Sequence, residues 1–148
     1  ESRGLGDVYK RQDGYGSDMT RMFAVEYADD RKREIYDIVR QAQKAGCNAI
    51  ELGKPCCEID RASRDIIERA GYGQYYMHGL GHSIGIPVPR GPRFNQTDRT
   101  PVFSGLIMTV EPGIYLPGEF GVRIEDMLYI GEDEIRNMTH STHELIIV

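Results

Sequence analysis

Cysteine is scarce. The chain has three in 148 residues, Cys47, Cys56 and Cys57, an odd number that forms neither a disulfide framework nor the paired spacing of a structural zinc site. They read as free thiols in a reducing compartment, so the expected location is cytoplasmic. Long apolar runs are missing too: with no window of ~18 consecutive apolar residues, no transmembrane helix is expected. The opening Glu1-Ser2-Arg3-Gly4 lacks the apolar core of a secretion signal. Basic charge is thin, with 18 Lys and Arg against 23 Asp and Glu and a formal net charge of −5. The only basic run, Arg31-Lys32-Arg33, follows Asp29-Asp30, which leaves no stripe to neutralise phosphates and makes nucleic acid an unexpected partner. Internal repeats and low-complexity tracts are absent. What remains is one ordinary domain's worth of chain, 40% hydrophobic and 28% charged, long enough to bury roughly two-thirds of its unfolded surface.

Residues 1–12, ESRGLGDVYKRQ, show neither helical nor alternating periodicity and resemble a translated adapter leader. The domain is therefore expected over residues 13–148, with its upstream part missing. From Met19 to Tyr27 the text predicts a strand that puts Met19, Phe23, Val25 and Tyr27 on one face, with Arg21 interrupting. Asp29 to Gly46 predicts a helix with Ile35, Ile38, Val39, Ala42 and Ala45 in one stripe, acids at its positive end and Gly46 as the stop. Glu58 to Ala70 repeats that logic with Ile59, Ala62, Ile66, Ile67 and Ala70, then Gly71. Beyond Gly71, glycine, proline and aromatic residues punctuate short apolar runs. Strands are expected at Leu106 to Glu111, Val122 to Ile130 and Glu144 to Val148, with an irregular proline-rich connection from Pro87 to Pro101.

Several polar residues stand where chemistry is possible. His78 and His82 are four apart, a helical metal-ligand spacing, yet the glycines between and after them and Pro87 and Pro89 argue for strand or loop. The same glycines imitate a dinucleotide fingerprint, but Gly85 comes one residue late and no helix follows. Packing near a glycine-rich turn is the plain alternative for both histidines. Glu111 closes an apolar strand before Pro112-Gly113, aimed where a turn begins, and a solvated rim would explain it equally. In Val122 to Leu128, period-two geometry places Arg123, Glu125 and Met127 on one face, so Arg123 is positioned to orient Glu125. A carboxylate among Ile, Met and Leu is costly to bury unless paired or bound to a cation, whereas surface ion pairing needs no function. Asp18 precedes a strand, the place of a turn or capping residue. Together Asp18, His82, Glu111 and Glu125 make a carboxylate and imidazole set suited to Mn, Co, Fe or Zn. Two such ions sharing a water would provide the chemistry of hydrolysis.

The motifs GYGSDMTRMF, AGYGQYYMHGLGHSIG, MTVEPGIYLPGEFGVRIEDMLYI and the closing HELIIV occur in that order. Through them, from Asp13 to Val148, the chain resembles the catalytic domain of the pita-bread metallopeptidases, the family of Xaa-Pro aminopeptidases, prolidases and methionine aminopeptidases. EPGIY and GVRIED match the Xaa-Pro branch better than the methionine branch. The resemblance implies an α+β pita-bread (creatinase/aminopeptidase) fold, a curved antiparallel sheet with outer helices, here N-terminally truncated. It implies two divalent metal ions (Mn, Co, Zn or Fe) on five ligands, of which Asp18, His82, Glu111 and Glu125 match four. It also implies proton transfer by Glu111, bridging of both metals by Asp18 and Glu125, a substrate-lining role for His78 and a steadying role for Arg123. The implied partner is a peptide substrate, Xaa-Pro in sequence; a homodimer is compatible with it, and neither nucleic acid nor membrane is called for.

Two departures from the family pattern bear on activity. The first ligand of the family is an Asp eleven residues before the Asp18 position in a D-x-G sequence, and that register holds Asp7-Val8-Tyr9, without the glycine and within the leader. Asp7 is therefore the weakest member of the expected metal set. After His82 the family usually reads G-I-G-L-D-V-H-E, but this chain reads Gly85-Ile-Pro-Val-Pro-Arg90, with Pro89 in place of a substrate-contacting histidine. Losing such a donor costs about 2.7–4 kcal/mol if it acts like an oxyanion donor. The alternatives are a binding module that keeps the fold without the chemistry, and a creatinase-like C–N hydrolase, which the retained acidic positions disfavour.

Overall fold

A computed structural model describes residues 5–7, 10–12, 15–85 and 91–148, with side chains from residue 16 onward. Three short strands come first, β1 (Leu5–Asp7), β2 (Lys10–Gln12) and β3 (Tyr15–Ser17), followed by β4 (Thr20–Ala24). Two helices, α1 (Asp30–Ala49) and α2 (Cys56–Arg69), lead through a 3-10 turn at Gly73–Tyr75 into β5 (Gly81–Ile84) and β6 (Arg93–Phe94). The rest is strands: β7 (Leu106–Val110), β8 (Gly113–Leu116), β9 (Phe120–Arg123), β10 (Asp126–Ile130), β11 (Ile135–Asn137) and β12 (Ile146–Ile147). Among the described residues, the largest sheet has the order β11-β10-β7-β5-β6 and is antiparallel throughout. β4 lies between antiparallel β1 and parallel β12, while β2–β3 and β8–β9 are hairpins. No helix is long and apolar enough to cross a membrane among these residues.

Both helices form where the apolar period places them. Asp29 caps α1, its carboxylate accepting from the Lys32 backbone N–H at 2.8 Å, which satisfies one of the free amides of the first turn. Gly46 does not end α1 as its composition suggested. The helix runs on to Ala49, and Gly46 sits on its buried face where a Cβ would lie 2.9 Å from Leu80 Cδ2 and 3.1 Å from Val110 Cγ1. The glycine thus permits close approach of helix to sheet. α2 begins two residues earlier than expected, after Pro55, and Gly71 at φ +87° follows its end. Its buried face consists of Cys56, Ile59, Asp60, Ser63, Arg64 and Ile67, so the expected Ala62 and Ala70 lie off it.

Two apolar clusters make the core. One packs Ile35, Tyr36 and Val39 of α1 and Ile67 of α2 with Met22, Ile114, Val122 and Ile124. The other joins Cys56 and Ile59 of α2 to Leu80, just before β5, and to Phe94, Met108, Val110, Leu128 and Ile130 of the large sheet. A fully buried Ile or Leu in either contributes roughly 1.5–3 kcal/mol. Alternation along β7 sends Met108 and Val110 into this core, so Thr109 and the following Glu111 project the other way.

Three strand expectations are corrected. The Met19–Tyr27 strand is limited to Thr20–Ala24, and its phase is opposite: Thr20, Met22 and Ala24 are buried while Phe23, Val25 and Tyr27 are exposed. The strand ends before Glu26, which adopts φ +65°. Val122 to Ile130 is two strands rather than one, because the Glu125 backbone N–H donates to Thr20 O at 3.1 Å and pulls the chain from its β8 partner toward β7. The C-terminal strand is only Ile146–Ile147. Pro89 lies outside the described residues.

Candidate metal centre

Four acid and imidazole groups meet where β4, β5, β7 and the β9–β10 break converge. Ligand-type atoms of Asp18, His82 and Glu125 all lie within 4.8 Å of one another. His82 Nε2 stands 3.9 Å from Asp18 Oδ2 and 3.3 Å from Glu111 Oε1, so Glu111 joins the same group. Glu111 and Glu125 are on the same side of the fold, as one metal set requires. Asp7 is placed by its backbone alone, opposite Thr20 in the β1–β4 register.

Two of the acids are each held by a threonine, Glu111 by one two residues earlier and Glu125 by one across the β4 bridge. Thr20 Oγ1 donates to Glu125 Oε2 at 2.6 Å and accepts from Arg123 Nε at 3.1 Å. Thr109 Oγ1 donates to Glu111 Oε1 at 3.0 Å and accepts from the His82 backbone N–H at 2.9 Å. Sequence reading named the acids and missed Thr20 and Thr109, although their spacing from Asp18 and Glu111 carries the signal. Arg123 therefore reaches Glu125 through Thr20, and it also donates to the Tyr115 hydroxyl at 3.4 Å. His78 lies beside this group with Nε2 2.9 Å from the same hydroxyl. A cleft of about 290 Å³ opens onto His78, His82, Glu111, Tyr115 and Arg123, with Arg93 at its edge.

Behind the site a second network fixes the bend. Asp126, fully buried, accepts from Arg21 Nη2 at 2.6 Å, Gln43 Nε2 at 3.0 Å and Asn137 Nδ2 at 2.6 Å, and lies 2.8 Å from His143 Nε2. Arg21 also donates to the Glu125 carbonyl at 2.7 Å and the Thr20 carbonyl at 2.9 Å. Glu125, held by Thr20, thus faces the Asp18 and His82 group while Arg21 and Asp126 lock the adjacent backbone.

The donor set fits a divalent cation. Glu125 is 1% exposed, and its Oε1 has no hydrogen-bond partner among the described residues, an orphaned buried acceptor that a cation would satisfy. Burial pushes the Glu125 carboxyl up to about 7; the charges of Glu111 and Asp18 push the same way, while the Thr20 hydrogen bond and Arg123 oppose them. A carboxyl whose folded pKa exceeds its unfolded one withdraws stability as pH rises, because the folded state must give up a proton it holds more tightly. From the ordinary value of 4.5 to about 7, at ~1.4 kcal/mol per tenfold change in affinity, this amounts to roughly 3 kcal/mol. Without metal, stability is expected to be fullest below pH 4.5 as far as this group is concerned and to be lost as pH rises through 7, with Mn²⁺ restoring it at high pH. Urea denaturation across this range in chelator, for the wild type and Glu125→Gln, checks the expectation. The substitution should flatten the slope, and equal slopes would count against it.

The model of metallopeptidase family M24 matches residues 5–132. The Xaa-Pro dipeptidase of Pyrococcus furiosus is 41% identical over 142 residues, 96% of this chain and 40% of that protein. The crystal structure of a dipeptidase from Pyrococcus horikoshii superposes with a TM-score of 0.93 at 37% identity, over 97% of this chain and 40% of the other. An X-Pro aminopeptidase from Thermotoga maritima gives 0.92 at 31% identity, over 97% and 41%. The architecture is thus the pita-bread fold, and this chain spans about 40% of the length of the relatives it matches.

Proposed function

The chain belongs to metallopeptidase family M24, and from that premise we propose that the protein hydrolyses the peptide bond preceding proline, as a dipeptidase or aminopeptidase, with two divalent metal ions. The observation that carries this reading is the convergence of Asp18, His82 and Glu125, with Glu111 beside His82. The names of the relatives, Xaa-Pro dipeptidase and X-Pro aminopeptidase, support the choice of bond. Asp18, His82, Glu111 and Glu125 would hold the ions, with Asp7 as the fifth position in this reading. Mixed carboxylate and imidazole donors suit Mn, Co, Fe or Zn. Ions bound there supply Lewis acidity, lowering the pKa of water and polarising a carbonyl.

The protein's own groups do the rest. Glu111 stands past the end of β7 with Oε1 held by Thr109, placed to take a proton and return it to the leaving amine. Arg123 steadies Glu125 by holding the threonine that bonds it. His78 lines the cleft, and in this reading it contacts the substrate there.

The test is to purify the chain with and without Mn or Co and to measure bound metal together with cleavage of an Xaa-Pro dipeptide and a longer Xaa-Pro peptide. Two ions and cleavage are expected, and the preferred peptide separates dipeptidase from aminopeptidase. Neither metal nor cleavage would favour a binding module on the same fold. Repeating the assay with the upstream region of a relative supplied, and again with Pro89→His, distinguishes the effect of length from that of Pro89.

A further inference from the structure

Helix α2 buries two charged residues that an apolar stripe does not explain. Asp60 is fully buried and Arg64 nearly so. One turn apart, they form a fork, Arg64 Nε donating to Asp60 Oδ2 at 2.7 Å and Nη2 to Oδ1 at 3.0 Å. Attraction alone seldom repays the dehydration of such a pair unless its remaining atoms are engaged. Here one segment engages most of them. Arg64 donates to the Tyr76 carbonyl at 3.0 Å and the His78 carbonyl at 2.7 Å, and the Leu80 backbone N–H donates to Asp60 at 2.9 Å. The pair grips every second residue of the stretch that enters β5 and carries His82. Arg64 also stacks over the Tyr76 ring at 4.1 Å, and that ring meets His78 edge-on at 5.2 Å.

The His78 ring is fixed at both nitrogens. Nδ1 lies 2.8 Å from Gly79 O, and since a carbonyl only accepts, Nδ1 carries the hydrogen. In the neutral ring Nε2 is then the acceptor for the Tyr115 hydroxyl at 2.9 Å, whose oxygen accepts from Arg123. The Gly79 carbonyl that selects this tautomer lies between two anchors, His78 O and Leu80 N, that the buried pair holds. Gly79 itself admits no side chain, since a Cβ would lie 2.7 Å from Phe94 O.

We infer that Asp60 and Arg64 are positioning residues that fix His78 in its Nδ1–H tautomer, with Nε2 accepting from Tyr115 beside the cleft. The tautomer stands on the contacts above; its importance for hydrolysis rests on the proposed function. Arg64→Lys removes the fork while keeping the charge, and Asp60→Asn keeps an acceptor while removing the charge.

The experiment is ¹⁵N-histidine NMR on metal-free protein, with four histidines to resolve, His78, His82, His140 and His143. In both variants the two ring nitrogens of His78 are expected to move toward an averaged pair of tautomers, while His140 and His143 keep their wild-type shifts. A folded variant whose His78 keeps a single Nδ1–H tautomer would overturn the inference. Should neither variant fold, native-state hydrogen exchange of the wild type in urea decides. The Leu80 amide and the His78 ring signature should be lost in one opening, and loss of the ring signature while Leu80 stays protected would overturn it. A Mn²⁺ titration of the same wild-type sample keeps the two readings apart. Absence of metal binding counts against the proposed function and leaves the tautomer assignment untouched.

Discussion

Asp126→Ala is expected to destabilise the fold by roughly 3–5 kcal/mol, the cost of removing one partner from a buried ion pair. For a chain of this size that lowers the melting temperature by about 6–20 °C. Asp126 is fully buried, and its carboxylate meets four groups drawn from β4, α1, β11 and the C-terminal loop: Arg21, Gln43, Asn137 and His143. Removing it leaves a guanidinium whose side chain is only 13% exposed with carbonyl acceptors but without its counter-charge, and takes a shared acceptor from the other donors. Asp126→Asn, which keeps one oxygen but turns an amide N–H₂ toward donors, should also destabilise, by less. Because Arg21 holds the Thr20 and Glu125 carbonyls as well, the loss should carry over to the metal site. Mn²⁺ affinity measured by calorimetry is expected to fall in Asp126→Ala even at temperatures where the variant remains folded. Chemical denaturation checks the first part; a change within about 0.5 kcal/mol, the range of an ordinary surface substitution, would remove the network from the account of how Glu125 is held.

Asp126 also marks the boundary of what the amino-acid order reveals. Helices α1 and α2 were legible because their apolar residues recur at helical spacing between acids and glycine. The acids and histidines of the site were legible as residue types and could be set together as a candidate cation group, but spacing could not show that they converge, which only the resemblance to a family implied. Period alone misplaced two features. In β4 the more apolar face is the exposed one, because Thr20 and Met22 turn inward to Glu125 and the α1 cluster, a choice made by distant partners. The run from Val122 to Ile130 reads as one strand, and only the Thr20 carbonyl, over a hundred residues away, breaks it at Glu125. Gly46 shows the same limit: as a lone glycine it signals a stop, and its actual use is contact with Leu80 and Val110. Asp60 and Arg64 look like solvated helix charges until the backbone of residues 76–80 is laid against them. Where a residue's environment is built by residues distant in sequence, local pattern is silent about it.

Glu111→Gln should separate chemistry from folding more sharply than any other change. Gln is isosteric and keeps a carbonyl oxygen where Glu111 Oε1 accepts from Thr109, so the β7 end and the His82 amide bond to Thr109 should be undisturbed. The change in folding stability is expected within about 0.5 kcal/mol, as for substitutions that preserve contacts. What Gln lacks is a negative charge for the metals and a site for a proton at neutral pH. If Glu111 carries the proton from water to the leaving amine, Xaa-Pro hydrolysis should fall by roughly 10²–10⁴-fold, and Mn²⁺ should bind more weakly. Measuring kcat at saturating Mn²⁺ separates the two effects, since weaker binding is overcome by added metal and a missing proton carrier is not. Recovery of full kcat with excess Mn²⁺ would make Glu111 a ligand alone. Unaltered hydrolysis at every metal concentration would mean that Glu111 is neither ligand nor proton carrier, and the role of His82's nearest carboxylate would have to pass to Asp18 or Glu125.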